Sequence, residues 1–362
     1  MSNRNNQDRV GARPSDDAPA VTAAAATPPP IPETNTARST GGLNFVVPTD
    51  HIELPSAGKF YPEGHPLHNQ ETIEIRHMTA RDEEILTSRT LLKKGIAIDR
   101  LLQNVIVDKR VKVSELLIGD KNTILVFSRM LAYGPDYRAK ITCPACTSIS
   151  DFEFDLRTHK MMSPNDIENP EAEGFKALPN GNFAVLLPKT EVIAEVRLLV
   201  GQDELHLARF AEASKKKSRG QGGDSILTEQ LRRSIVSLNG ETNKYHINNF
   251  INNMPATDSR QLRKVYAKIT PNIDMKQEFW CPSCGESTDM EVPFTAEFFG
   301  LNDKYIENIY EQFFLLKYHG GWSFTEAYSL PVGLRKWFME RLQKQIEQEN
   351  KAIEEAKRKS KS

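Results

Sequence analysis

Apolar residues in this chain follow two periods in turn. Glu71-Thr-Ile-Glu-Ile-Arg76 alternates polar with apolar, the period of a half-buried strand. Thr79 stands three positions before Asp82, a capping pair that opens a helix predicted to run from Asp82 to about Lys94 and to stop at Gly95. Helices are predicted next over Ile98–Val107 and Lys121–Tyr133, and strand-like alternation returns at Asp151-Phe-Glu-Phe-Asp155. Towards the C-terminus, Tyr305-Ile-Glu-Asn-Ile-Tyr-Glu-Gln-Phe-Phe-Leu-Leu316 is apolar on several sides and predicts a buried helix, broken at Gly320-Gly321. Pro331 then opens a helix carrying Leu334, Phe338, Leu342 and Ile346 at intervals of four, which frays into a charged tail beyond Glu347. The mixture predicts an α+β fold.

The same order of elements begins again near Leu178. Leu178-Pro-Asn-Gly-Asn-Phe183 echoes Leu54-Pro-Ser-Ala-Gly-Lys-Phe60, and Ala194-Glu-Val-Arg197 echoes Ile73-Glu-Ile-Arg76. Asp203-Glu204 falls where Asp82-Glu83 did, and Leu231, Ile235 and Val236 repeat Leu102, Ile106 and Val107. Cys281 and Cys284 repeat Cys143 and Cys146, and five blocks in one order point to a tandem duplication of a small unit made of strand, helices and a cysteine hairpin. Two segments read as insertions in the second copy, the loops Lys215-Lys-Lys-Ser-Arg-Gly-Gln-Gly-Gly223 and Asn252-Asn-Met-Pro-Ala256. The expected organisation is an arm over residues 1–45, a first repeat over 46–177, a second over 178–300, and C-terminal helices with a charged tail over 301–362.

Composition adds the arm and removes several classes of function. Residues 1–45 are rich in Ala, Pro, Thr, Asn and Asp, with Pro28-Pro-Pro-Ile-Pro32 in the middle, and offer too little apolar surface to offset the entropy of ordering. They are expected to be disordered, the proline run serving as a spacer. Formal net charge over the 362 residues is -1, so no global charge draws the chain to nucleic acid or to an anionic membrane. No apolar run approaches the ~20 residues that span a bilayer. Nor does the N-terminus show a basic-then-apolar leader, so a reducing, cytoplasmic setting is expected, where paired cysteines serve more often as metal ligands than as disulfides.

All four cysteines fall in two matched turns, Cys143-Pro-Ala-Cys146 and Cys281-Pro-Ser-Cys284, each between strand-like segments. Two thiolates on a tight turn form half of a tetrahedral zinc site. A redox pair is disfavoured, because neither turn opens a helix whose dipole lowers a thiol pKa. Buried free cysteines are disfavoured by the matched spacing. The 134 residues between the turns far exceed the roughly 15–20 of an ordinary zinc ribbon. If the repeats pack about a pseudo-twofold axis, however, the turns face each other and share one ion. The first turn lacks a glycine where the second has Gly285, so a different geometry is expected there. No nucleophile elbow, phosphate loop or His-Glu-x-x-His helix occurs. His65 and His68, the Lys215–Arg219 cluster and Asp82, Glu83 and Glu84 read as solvated groups, the acids favoured by a helix dipole. Aromatic residues crowd the C-terminal segment, where they form either a helical layer covering the second repeat or a surface for a partner.

Leu54-Pro-Ser-Ala-Gly-Lys-Phe-Tyr-Pro62, Arg76-His-Met-Thr-Ala-Arg-Asp-Glu-Glu-Ile-Leu86, Leu91-Leu-Lys-Lys-Gly95 and Leu330-Pro-Val-Gly-Leu-Arg-Lys-Trp-Phe338, together with the two cysteine turns, resemble the baseplate protein family of T-even-type contractile-tailed bacteriophages. The resemblance covers most of the chain from about residue 50 and is one of whole pattern. It implies a non-enzymatic component or assembly factor of the baseplate hub, made in the cytoplasm of the infected cell and either retained in the virion or released. Its partners would be other baseplate or tail proteins, met through the C-terminal helices, and zinc a structural ion. The competing class is a zinc-ribbon factor binding nucleic acid, against which the near-neutral charge argues.

Overall fold

The computed structural model describes residues 47–217, 226–294, 296–299 and 305–359, so the arm expected over residues 1–45 lies outside the described residues. Alternation at residues 71–76 gives β2 (Thr72–Arg76), which pairs antiparallel with β1 (Thr49–Glu53) and buries Ile73 and Ile75. The predicted helix over 82–94 is two helices, α1 (Ala80–Thr87) and α2 (Arg89–Lys93), because Ser88 is extended at ψ 107°. Thr79 and Asp82 do form the capping box expected of them. There follow α3 (Ala97–Val105), α4 (Ile118–Tyr133) and the hairpin of β3 (Asp136–Thr142) with β4 (Ile149–Asp155).

From Phe175 on, the chain is built around an antiparallel sheet of β6 (Phe175–Ala177), β7 (Phe183–Leu186), β8 (Ile193–Val196) and β9 (Ile235–Leu238). Between β8 and β9 lie α5 (Gly201–Lys217) and α6 (Ile226–Ser234), and after β9 come α7 (Lys244–Asn253) and α8 (Ala256–Ile269). A second hairpin joins β11 (Gln277–Trp280) to β12 (Ser287–Met290). The halves interlock: β5 (Lys160–Met162) pairs with β10 (Asn272–Asp274), and one apolar core runs from Ile52 through Phe154, Phe183 and Leu262 to Phe299. Lys215–Lys217 belong to α5 and not to a loop, while residues 218–225 lie outside the described residues. The second proposed insertion loop is only Met254-Pro255, between two helices.

Several bonds recur in the two halves. Arg76 chelates Asp82 at 2.8 and 2.9 Å, and Arg197 chelates Asp203 at 2.8 and 2.8 Å. Each carboxylate also accepts the N–H of the residue three before it, Thr79 or Val200. At the start of α4, Asp120 accepts from the Ser56 N–H, the Ser56 hydroxyl and the Tyr61 hydroxyl. Asp258 at the start of α8 accepts from Lys189, Thr190 and the Thr190 hydroxyl. These bonds place Leu54-Pro55 opposite Leu187-Pro188: the Leu54 N–H donates to Glu71 and the Leu187 N–H to Val192, each closing its strand pair. Leu178, matched with Leu54 on sequence alone, instead lies one strand earlier, between β6 and β7. Leu-Pro is too short a motif to fix the register.

The C-terminal helices α9 (Tyr305–Gly320), α10 (Phe324–Ser329) and α11 (Val332–Lys359) pack on α1 and α4 of the first half, not on the second as the sequence suggested. Ala80 of α1 shares a small apolar cluster with Ile309, Phe313, Leu316 and Ala327. The reason for that choice is Glu83. It is fully buried and accepts from the Tyr133 hydroxyl (3.0 Å), the Tyr305 hydroxyl (2.6 Å) and Arg335 Nη2 (2.6 Å). A buried carboxylate is stable only with its charge met, and three elements converge to meet it. Burial first, then the Glu83 charge, raises the Tyr133 and Tyr305 pKa well above the ordinary value, so both remain donors.

Candidate metal centre

Each cysteine turn caps a two-stranded hairpin, and the two turns close with the same pair of backbone bonds. The Cys143 N–H donates to Ser148 O and the Thr147 N–H to Cys143 O; the Cys281 N–H donates to Glu286 O and the Gly285 N–H to Cys281 O, all at 2.9 Å. Both turns need a left-handed residue after the second cysteine, and have it: Gly285 at φ 74° and Thr147 at φ 59°. The differing geometry expected of the glycine-free turn is therefore not found. Thr147 takes up the strained conformation because the hairpin and its partner turn dictate it.

The fold brings the two turns face to face. Cys143 Sγ lies 3.8 Å from Cys284 Sγ, and Cys146 Sγ lies 3.6 Å from Cys281 Sγ. All four sulfurs lie within 4.8 Å of one another. Four thiolates around zinc at about 2.3 Å sit about 3.8 Å apart along each edge of the tetrahedron, and the separations across the halves match that edge. Cys143 and Cys281 are buried, while Cys146 and Cys284 are exposed at the surface. The Ser148 hydroxyl lies 3.0 Å from Cys146 Sγ and 3.4 Å from Cys281 Sγ. That contact is the main cause that lowers the Cys146 thiol and draws Cys281 down to about 6. Cys284 is lowered by the Glu286 amide, but the crowding Cys146, Cys281 and Cys143 sulfurs outweigh that and push it up. Sulfurs this close repel one another as thiolates, and a cation among them removes the conflict. The residues fit a four-thiolate metal site. Such a site leaves no position open for substrate.

Among the described residues no second group of three or more histidine, cysteine or carboxylate ligands is close enough to hold a metal. His65 is not the solvated turn residue expected. Its ring stacks on Tyr61 at 4.4 Å and its side chain is 7% exposed, with Nδ1 accepting the Leu67 N–H. Asp82 and Glu83 are likewise buried ion-pair partners and not solvated helix-start charges. The spacing Arg76-x5-Asp82, repeated as Arg197-x5-Asp203, is the one sequence signal from which the first of these pairs was recoverable.

Fold and site together define a class: an α+β protein whose halves meet at a cluster of four thiols, with a helical layer held by a buried ion pair. Residues 47–300, more than two thirds of the chain, match the family described as T4 bacteriophage base plate protein, and the chain belongs to that family. No curated protein and no solved structure matches it. No described helix is long and apolar enough to cross a membrane.

Proposed function

We propose that this chain is a non-enzymatic subunit or assembly factor of the tail baseplate hub, in which Cys143, Cys146, Cys281 and Cys284 hold one structural zinc. Membership of the base plate family carries the first part, and the facing cysteine turns support the second. Zinc suits the sulfur-only donor set and the separation of the sulfurs. Its work here is to tie the β3–β4 hairpin to the β11–β12 hairpin. The two halves, residues 46–177 and 178–300, are copies of one unit, a view supported by the matched Arg–Asp pairs, the matched Asp120 and Asp258 bonds and the matched turns.

Partners are other tail proteins, met at the C-terminal helices. There Tyr310, Phe314, Tyr318, Phe324 and Trp337 are each more than half exposed, and aromatics of this kind dominate the centres of protein interfaces. The protein is made and acts in the cytoplasm of the infected host and is carried on into the tail if it is a subunit. Mass spectrometry of purified particles and of the chain's complexes from infected cells tests this. Copurifying baseplate proteins are expected, with the chain in particles if it is a subunit and absent from them if it is an assembly factor. Isolation without any tail protein would overturn the proposal. Metal analysis is expected to find one zinc per chain.

A further inference from the structure

The start of α11 repeats the start of α4. Leu330-Pro-Val-Gly-Leu-Arg335 and Leu116-Leu-Ile-Gly-Asp-Lys121 share an apolar triplet, a glycine and, two residues on, a cation. Two backbone contacts correspond. The Val332 N–H donates to Met78 O at 2.8 Å while Pro331 bridges Thr79; the Ile118 N–H donates to Leu199 O at 3.3 Å while Leu117 bridges Val200. Met78 and Leu199 are equivalent positions, each two residues after the arginine that chelates Asp82 or Asp203. One turn into each helix the cation meets a carboxylate: Arg335 Nη2 lies 2.6 Å from Glu83, and Lys121 Nζ lies 2.7 Å from Glu204. Glu83 and Glu204 each follow directly on the chelated aspartate. The glycine faces the end of a neighbouring helix in both places, Gly333 the Leu131 carbonyl of α4 and Gly119 the Pro271 carbonyl just beyond α8.

A third helix start shows that the pattern discriminates. By the positions of Asp120 and Asp258, α8 is the counterpart of α4, yet its start reads Met254-Pro-Ala-Thr-Asp-Ser259. Threonine replaces the glycine, serine replaces the cation, and Ala256 and Thr257 are exposed. Where the large apolar third residue and the cation are missing, no bridge of this kind forms, and the α8 start is held by Asp258 on Lys189 and Thr190 instead.

We propose that each half carries a slot for a helix start of the form Leu-(Leu/Pro)-(Ile/Val)-Gly-x-(Lys/Arg), the second half's filled by α4 and the first half's by α11, so that the first slot is a docking site for a helix of this pattern. Both the apolar triplet and the cation are required, since each slot offers a backbone bridge and a carboxylate, Glu83 fully buried and Glu204 part-exposed. The family match ends at residue 300, so the segment in the first slot comes from outside the matched region. It is also the exchangeable occupant. α4 runs directly into β3 within the core, whereas α11 is exposed throughout beyond Ile346.

This inference rests on the duplication proposed above, and the two fail differently, since the zinc stoichiometry bears on the duplication and grafts bear on the slot. In the full chain, the α4 start is grafted onto α11 by Pro331→Leu, Val332→Ile, Leu334→Asp and Arg335→Lys. Wild-type melting and the wild-type tryptic pattern are expected. A second graft gives α11 the α8 start by Val332→Ala, Gly333→Thr, Leu334→Asp and Arg335→Ser. It is expected to expose the C-terminal helices to trypsin at least about tenfold faster, as cleavage follows the open population. A labelled peptide of residues 328–346 is then expected to bind the second graft and not the wild-type chain, whose slot is filled, and to lose binding with Arg335→Glu in the peptide. Grafts that behave alike, a first graft that fails to fold, or a peptide that binds wild type as tightly as the second graft would each overturn the proposal.

Discussion

Thr147 holds a left-handed φ of 59° in a turn whose counterpart uses Gly285 at 74°. A β-branched residue there costs on the order of 1 kcal/mol or more in backbone strain. Thr147→Gly is therefore expected to stabilise the chain by about 1 kcal/mol and raise the melting temperature by a few degrees. His65 gives the pH dependence. Burial is the main cause that lowers its pKa, with His68 lowering it further and Glu115 opposing. Its Nδ1 accepts the Leu67 N–H and so has no proton to donate. Because the folded pKa lies below the unfolded one, the unfolded chain takes the proton first. The stability His65 contributes is full above its unfolded pKa of about 6.5 and is lost as pH falls through the folded value. Denaturant melts from pH 7 to 5 are expected to show that decline, and His65→Gln to flatten it. Neither the strain nor the burial was legible in the sequence, because each is imposed by residues far away in the chain.

At the scale of elements, two glycines separate close approach from ordinary contact. A Cβ on Gly119 would lie 1.8 Å from the Pro271 carbonyl, whereas one on Gly333 would lie 3.5 Å from the Leu131 carbonyl. Gly119→Ala is thus expected to destabilise by about 2 kcal/mol or more, through forced displacement of α4 from the end of α8. Gly333→Ala, placed in the first turn of α11 with its Cβ at ordinary contact distance, is expected to be neutral or slightly stabilising, and paired thermal melts compare the two. Glu83→Ala leaves Arg335 buried without its carboxylate. That is expected to cost about 3–5 kcal/mol and to loosen α9 to α11 first, read as early hydrogen exchange in those helices. The capping box at Thr79 and Asp82 was legible, since capping is local and three residues suffice for it. What was not legible is that Asp82 and Glu83 face inward, because a helix-start carboxylate looks the same in sequence whether it meets water or an arginine 252 residues away.

For the whole molecule, the cysteine cluster ties the halves together beside the β5–β10 pairing, the Ile118–Leu199 backbone bond and the Lys121–Glu204 ion pair. Lys121 is buried, which lowers its pKa, but Glu204 and Asp99 outweigh that and raise it, so the cation persists. Removing the metal by chelation, or breaking its ligand set by Cys284→Ser, is expected to lower the melting temperature and open the two hairpins to protease without separating the halves. The loss should be several kcal/mol, on the order of what structural zinc contributes elsewhere. Melting and limited proteolysis unchanged by either treatment would remove the metal from the account.

The sequence by itself determined what is local or strictly periodic. It determined the α+β class, β2, β4, α3, α4, α9 and the start of α11 to within a few residues, and the two matched cysteine turns, because hydrophobic period, caps and turn residues act over a few positions. It also carried the family resemblance that the family match bore out. Only the tertiary structure decided that the two turns meet, with sulfurs 3.6 and 3.8 Å apart across 135 and 141 residues of chain. It alone decided that the Asp258 bonds gather beside Leu187-Pro188, and that the C-terminal helices lie on α1 and α4. Those outcomes depend on which buried charge finds which partner and which backbone edge is left to pair. Such choices are made between segments far apart in sequence, and no local pattern records them.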